Sequence, residues 1–177
     1  ERELKHAAEA GRRAALLFID LDGFKAINDT WSHRVGDLFL CEIASRLSRF
    51  AGPSQRVARL GGDEFTILVT DPRLTISRPA LMGFAESVLA AVCEPVELEG
   101  RRCVVGASIG VSMFPDDATT SEHLVRAADR AMYVAKRTGK RRVCSFASGR
   151  DSDNHVPREL ERLDDALSRS TPAHTSA

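Results

Sequence analysis

The chain has 177 residues, 43% of them hydrophobic and 28% charged, the size and make-up of one globular domain with short extensions. Its 25 lysines and arginines balance 25 aspartates and glutamates, so bulk charge gives no support for nucleic-acid or membrane binding, and any anion site has to be local. No apolar stretch approaches the ~20 residues that span a bilayer, and the start Glu1-Arg2-Glu3-Leu4-Lys5 is no signal peptide and carries no initiator methionine, which leads us to expect a piece of a longer chain.

Residues 4–13 read as the end of a helix. Residues 14–19 are continuously apolar, as expected of a strand buried on both faces, and Asp20-Leu21-Asp22 ends that run. A short helix over 23–28 and a polar turn over 29–34 follow. Residues 35–50 form an amphipathic helix with Val35, Leu38, Phe39, Ile43, Leu47 and Phe50 close to one stripe, broken by Ala51-Gly52-Pro53-Ser54. Strands over 57–60 and 65–69 make a hairpin around Gly61-Gly62, stopped by Asp71-Pro72. The next helix covers 79–93, with Pro79 in its first turn and Leu81, Phe84, Val88, Leu89 and Val92 facing the core. Segments 96–98 and 102–105 pair about Glu99-Gly100, and residues 107–114 are a strand. A helix over 119–137 opens on a capping box from Thr119 to Glu122, faces the core with Leu124, Ala127, Ala128, Ala131, Val134 and Ala135, and is capped by Gly139. A last strand covers 142–146. Beyond it, the polar segment 148–154 reads as a linker, 157–167 as an amphipathic helix carrying Leu160, Leu163 and Leu167, and 168–177 as disordered. The expected organisation is thus one domain over 1–147, followed by a linker and partial helix over 148–177. Hairpins interrupt the strand–helix alternation, so the fold class is α+β, a central, mostly antiparallel sheet flanked by helices.

The four cysteines, Cys41, Cys93, Cys103 and Cys144, contain no C-x-x-C pair, and none of the five histidines lies at ligand spacing to them. They are expected to be buried free thiols in a reducing cytoplasm rather than zinc ligands.

The chemistry concentrates in the run Arg59-Leu60-Gly61-Gly62-Asp63-Glu64-Phe65. Gly-Gly between strands is an ordinary hairpin signal. The same glycines let a backbone approach a phosphate, and Asp63 and Glu64 can hold a hard cation such as Mg²⁺. Asp20 is either a solvated strand terminator or a third carboxylate. If its strand pairs with the hairpin, the three acids converge, and clustered like charges call for a cation, an arrangement suited to two metals on one phosphate. Asn28 and Asp37 are either helix caps or an amide–carboxylate pair matching the edge of guanine. Lys136 and Lys140 either complement a helix dipole or reach a triphosphate.

Taken together, these segments resemble the GGDEF family, the catalytic domain of diguanylate cyclases, from about residue 14 to residue 146. The resemblance is carried by Phe18-Ile19-Asp20-Leu21-Asp22-Gly23-Phe24-Lys25-Ala26-Ile27-Asn28-Asp29, His33-Arg34-Val35-Gly36-Asp37, the Arg59–Phe65 run, Ser108-Ile109-Gly110-Val111 and Ala131-Met132-Tyr133-Val134-Ala135-Lys136, in that order. It implies the fold of the adenylyl cyclase and polymerase palm cores. It also implies condensation of two GTP, one per domain of a homodimer, into cyclic di-GMP and two pyrophosphates. Under it, Asp20, Asp63, Glu64 and the backbone carbonyl of Leu21 hold Mg²⁺, with Mn²⁺ as an alternative. Asp63 and Glu64 are the catalytic carboxylates, Glu64 serving either the metals or the attacking hydroxyl. Phe24 and Lys25 lie along the phosphates through their amides, Asn28 and Asp37 read guanine, Gly61 and Gly62 admit the nucleotide, and Lys136 and Lys140 hold the β- and γ-phosphates.

Departures from the family pattern are equally specific. Ser32 stands where glycine is usual, fitting unless that site needs a positive φ, and Lys140 stands where arginine is common, keeping charge but losing bidentate geometry. Gly52-Pro53-Ser54-Gln55 replaces the inhibitory R-x-x-D, so no feedback inhibition through that site is expected. The chain begins downstream of the family's D-x-L-T-G-L-x-N-R segment, and residues 158–167 resemble the helix leading into an EAL phosphodiesterase domain, expected in the parent protein. These departures sustain a second reading, a GTP-binding regulatory module for an attached EAL domain. Either way the domain is expected in the cytoplasm, on its own or as the cytoplasmic part of a membrane-anchored protein.

Overall fold

The computed structural model describes residue 9, residues 11–70 and residues 77–146. The expected helix over 4–13, the stop at Asp71-Pro72 and the segment 148–177 lie mostly or wholly outside these residues. The elements run β1 (Ala14–Asp22), α1 (Phe24–Trp31), α2 (His33–Ser48), β2 (Gln55–Gly61), β3 (Glu64–Val69), α3 (Arg78–Cys93), β4 (Val96–Leu98), β5 (Arg101–Cys103), β6 (Gly106–Phe114), α4 (Ser121–Arg137) and β7 (Arg142–Ser145). The main sheet has the order β2-β3-β1-β6-β7. Every pairing in it is antiparallel except β6 with β7, which the crossover helix α4 makes parallel.

β1 is apolar from Ala14 to Ile19 because both of its faces are covered there. Ala15, Leu17, Ile19 and Leu21 point into a core shared with Phe24 and Ile27 of α1, Phe39 and Ile43 of α2, and Val88 and Val92 of α3. Ala14, Leu16 and Phe18 point the other way, under Leu124, Ala128 and Met132 of α4. Period-two alternation therefore puts Asp20 and Asp22 on the α4 side of the sheet. The strand also runs past the predicted end at residue 19, since β6 pairs it as far as Asp22.

α4 lies close to β6 over a stripe of small residues. Ser112 Oγ donates to the Leu124 carbonyl at 2.8 Å, and a methyl group on Gly110 would fall 1.9 Å from the Ala128 carbonyl oxygen and 2.2 Å from the Met132 nitrogen. On the other face, buried Arg46 of α2 ties down the end of α3, donating to the carbonyls of Ala91, Glu94 and Pro95 as well as to Glu42, a cation meeting a helix C-terminus.

Several local expectations are corrected. The polar turn over 29–34 shrinks to Ser32, because α1 continues to Trp31 and α2 starts at His33. Leu38 is 38% exposed and leaves the core stripe. All four cysteines are free, but only Cys103 is buried as expected; Cys93 and Cys144 are half-buried and Cys41 is exposed. The cap of α4 is Thr120, accepting from the His123 amide at 3.2 Å, so Thr119 forms no capping box. Gly139 does end α4: the Lys140 amide donates back to the Ala135 carbonyl at 2.9 Å, the six-to-one bond of a Schellman motif.

Ser32 adopts φ 141° and ψ 162°, a region that is nearly glycine-only and costs a residue with a Cβ about 1–3 kcal/mol. Its side chain caps α2 through a long 3.4 Å bond from the Val35 amide, and exchanging a serine cap for glycine costs only a few tenths of a kcal/mol. Ser32→Gly is therefore expected to raise stability by about 1 kcal/mol, read as a higher urea midpoint with an unchanged slope. A second local misfit is Thr66 of β3. It is fully buried, and its hydroxyl has no hydrogen-bond partner among the described residues. Thr66→Val keeps the β-branched shape and removes the orphan, so the protein is expected to gain up to about 1 kcal/mol. A loss of that size in the same denaturation measurement would contradict this.

Candidate functional site

Three elements meet at the C-terminal end of β1. The β2–β3 turn carries Gly62, at φ 52°, and Asp63. The turn is docked onto β1 by the Leu21 amide, which donates to the Asp63 carbonyl at 3.2 Å. Arg59 holds the turn from its other side, with Nε and Nη2 both donating to the Gly62 carbonyl at 3.0 and 2.8 Å. Asp20 faces Glu64 of β3 across one side of its strand and Ser108 of β6 across the other. The expected pairing of the Asp20 strand with the hairpin is thus the arrangement found, and it brings Asp20, Asp63 and Glu64 to one edge.

Asp20 is 6% exposed, and its Oδ2 accepts from Lys136 Nζ at 2.6 Å. Burial pushes the Asp20 carboxyl above its ordinary value. The bond and charge of Lys136 pull it down without outweighing burial, and the neighbouring charges of Asp63 and Asp22 push it further up. The carboxylates are therefore close enough to feel one another.

Among the described residues, no three Asp, Glu, His or Cys side chains form a ready-made cage for a metal. Mg²⁺ does not require one. It is commonly held by one or two carboxylates together with waters and substrate phosphates. Asp20 and Asp63, hard oxygen donors whose mutual repulsion a cation would relieve, fit that ion.

The other expected residues divide in two. Phe24 and Lys25 open α1 directly after Gly23. Phe24 is buried, with its ring centroid 6.3 Å from that of Phe39, and Lys25 is exposed. Asn28 of α1 lies against the first turn of α2, where a methyl group on Gly36 would fall 1.9 Å from Asn28 Oδ1. Gly36 thus leaves the space that Asn28 fills, and Asp37 follows it, exposed. Lys136 is already engaged by Asp20, while Lys140 sits on an exposed turn after α4.

Sequence reasoning gave no role to Arg59, Asp22 or Ser108. Asp22 accepts from Ser108 Oγ at 2.9 Å and from the Arg141 amide at 3.0 Å. The one available sign was its spacing, two residues from Asp20 and therefore on the same face of the strand. A separate cleft of about 510 Å³, lined by residues including Pro115, Asp117, Arg126 and Arg130, lies at the opposite end of the β1–β6 pair and holds none of the expected site residues.

Comparison with known proteins identifies the family. The family model described as diguanylate cyclase, GGDEF domain, covers residues 1–142. The chain is 36% identical over 165 residues to the bifunctional diguanylate cyclase/cyclic di-GMP phosphodiesterase MucR of Pseudomonas aeruginosa, covering 93% of this chain and 23% of MucR. It is 36% identical over 174 residues to the diguanylate cyclase TpbB of the same species, covering 97% of this chain and 38% of TpbB. The chain thus spans well under half the length of these relatives. The crystal structure of the TpbB GGDEF domain superposes with a TM-score of 0.76 at 36% identity, covering 82% of this chain and 89% of that one. The GGDEF domain of DgcB from Caulobacter crescentus, solved in complex with c-di-GMP, gives 0.74 at 28% identity, with 83% of each chain covered. The overall fold is therefore that of solved GGDEF domains, and the chain belongs to the diguanylate cyclase GGDEF domain family.

Proposed function

We propose that this chain is the catalytic half-site of a diguanylate cyclase, binding one GTP and meeting a second copy that carries the other. The observation that carries the reading is the convergence of Asp20, Lys136 and the Asp63 turn at one edge of the sheet, from segments up to 116 residues apart. In this reading the 3′-hydroxyl of one GTP gives up its proton, in the end to solvent, and its oxygen bonds to the α-phosphorus of the other. The bond from that phosphorus to the β-phosphate oxygen breaks, pyrophosphate leaves, and the reciprocal step closes the cyclic product.

The chain's own residues bind and orient. Asn28, held on Gly36, and the neighbouring Asp37 present an amide and a carboxylate to guanine. The first amides of α1, at Phe24 and Lys25, are among those a helix leaves unpaired and suit phosphate oxygens. Gly61 and Gly62 keep side chains out of the nucleotide's approach. Lys136 exchanges its partner from the Asp20 carboxylate to the β- and γ-phosphates, beside Lys140. Asp20, Asp63, Glu64 and the Leu21 carbonyl would hold Mg²⁺ or Mn²⁺, which when bound activates the hydroxyl and stabilises charge on the transferring phosphorus. Glu64 stands beside both the metal and the hydroxyl in this scheme and serves one of them.

A second reading is a GTP-binding module that regulates an attached EAL domain in the parent protein. It is favoured by the strained Ser32 and by lysine at position 140. Incubation with GTP and Mg²⁺ separates the two. Cyclic di-GMP formed by the wild type and lost in Asp63→Ala supports the cyclase. GTP binding without product supports the regulatory module.

A further inference from the structure

Asp22 stands outside the GTP scheme, yet both of its carboxylate oxygens are committed. Oδ1 accepts from Ser108 Oγ of β6 at 2.9 Å, and Oδ2 accepts from the backbone amide of Arg141 at 3.0 Å. The second bond reaches 119 residues along the chain, to the turn that follows α4.

That turn is unusual. Gly139, Lys140 and Arg141 have successive φ values of 124°, 60° and 47°. Two adjacent residues with side chains in the left-handed region are disfavoured, and such strain persists only where the surroundings hold it. Here hydrogen bonds hold it, among them one from Arg142 Nε to the Lys140 carbonyl at 3.2 Å. The Lys140 amide is tied back to Ala135, and the Arg141 amide is tied to Asp22. Gly106 completes the seat, since a methyl group there would fall 2.3 Å from Arg141 Cγ.

We propose that Asp22 is a positioning residue for the phosphate end of the nucleotide site: by fixing the Arg141 amide it sets the left-handed turn from which Lys140 projects. The inference rests on the reading of Lys140 as a contact to the β- and γ-phosphates. It differs from a purely structural role in what it discriminates. The turn should matter to a nucleotide in proportion to the phosphates beyond the first.

The test is calorimetric titration, with Mg²⁺ present, of the wild type, Asp22→Ala and Asp22→Asn with 3′-deoxy-GTP, which lacks the attacking hydroxyl and is not consumed, and with GMP. Asp22→Ala is expected to bind 3′-deoxy-GTP about 10-fold more weakly, the scale of one hydrogen bond to a charged acceptor, with GMP affinity unchanged. Asp22→Asn is expected to recover most of the loss, because its amide oxygen can accept from Arg141 while its NH₂ donates to Ser108. If Asp22→Ala does not fold, Ser108→Ala decides, since it loosens the same carboxylate without removing it; a smaller loss confined to 3′-deoxy-GTP is expected. The inference is overturned by wild-type affinity for 3′-deoxy-GTP in Asp22→Ala, by an equal loss for GMP, or by an asparagine variant as weak as alanine. A wild type that binds neither nucleotide overturns the GTP reading itself, and this inference with it.

Discussion

Asp20→Asn is expected to lower the rate of cyclic di-GMP formation by about a thousandfold or more, the scale of losing a charged group at a phosphoryl-transfer centre, while leaving the fold at least as stable as before. The two halves of this expectation share one cause. Asp20 is almost fully buried, and burial raises its carboxyl above the ordinary 3.8, Lys136 opposing and Asp63 and Asp22 adding to the rise. The folded state therefore holds this proton more tightly than the unfolded chain. Where the unfolded state binds fewer protons, stability falls as pH rises. The loss begins near the ordinary value and is complete once pH has passed the raised one. Asparagine is neutral throughout and still offers Lys136 an oxygen. In the metal-free protein the melting temperature of Asp20→Asn should match that of the wild type at the acid end of this window and equal or exceed it at neutral pH. Activity and stability would then move in opposite directions, as at sites strained for function. A variant that loses both together would mark Asp20 as a structural residue.

Gly110→Ala is expected to have the largest effect on stability, about 3 kcal/mol or more. The added methyl would meet the Ala128 carbonyl oxygen, the Met132 nitrogen and the Met132 Cα at 1.9, 2.2 and 2.9 Å. All three are backbone atoms of α4, so no rotamer change relieves the clash. β6 sits between β1 and β7 and cannot retreat without breaking both ladders. The remaining response is for α4 to lift, which carries Lys136 away from Asp20 and the following turn away from Asp22. A melting temperature lower by about 10 °C is expected at this chain length, with GTP affinity lost alongside it in whatever fraction stays folded. A thermal melt within about 2 °C of wild type would contradict the close packing of α4 on β6.

The sequence announced this architecture where burial is two-sided or periodic. Residues 14–19 are an unbroken apolar run because that part of β1 is covered on both faces, β6 is buried along its whole length although Ser108 and Ser112 interrupt its apolar residues, and α3 and α4 repeat their apolar positions at helical spacing. It was silent where partners are distant. Nothing local extends β1 to Asp22; that extension comes from β6 running alongside. The Asp20–Lys136 bond spans 116 residues and leaves no pattern at either end. Ser32 shows a different limit. Its residue type alone gave no sign of a φ of 141°; only the glycine usual at that place in the family pointed to one. Leu38 matched a helical stripe yet is 38% exposed.

The most direct test of the nucleotide–metal site is anomalous diffraction from crystals grown with Mn²⁺ and 3′-deoxy-GTP. The expected result is an anomalous peak at the Asp20 and Asp63 carboxylates, with guanine beside Asn28 and Asp37 and the terminal phosphates toward Lys136 and Lys140. A peak or nucleotide in the cleft near Pro115, Asp117, Arg126 and Arg130, with none at Asp20, would contradict it.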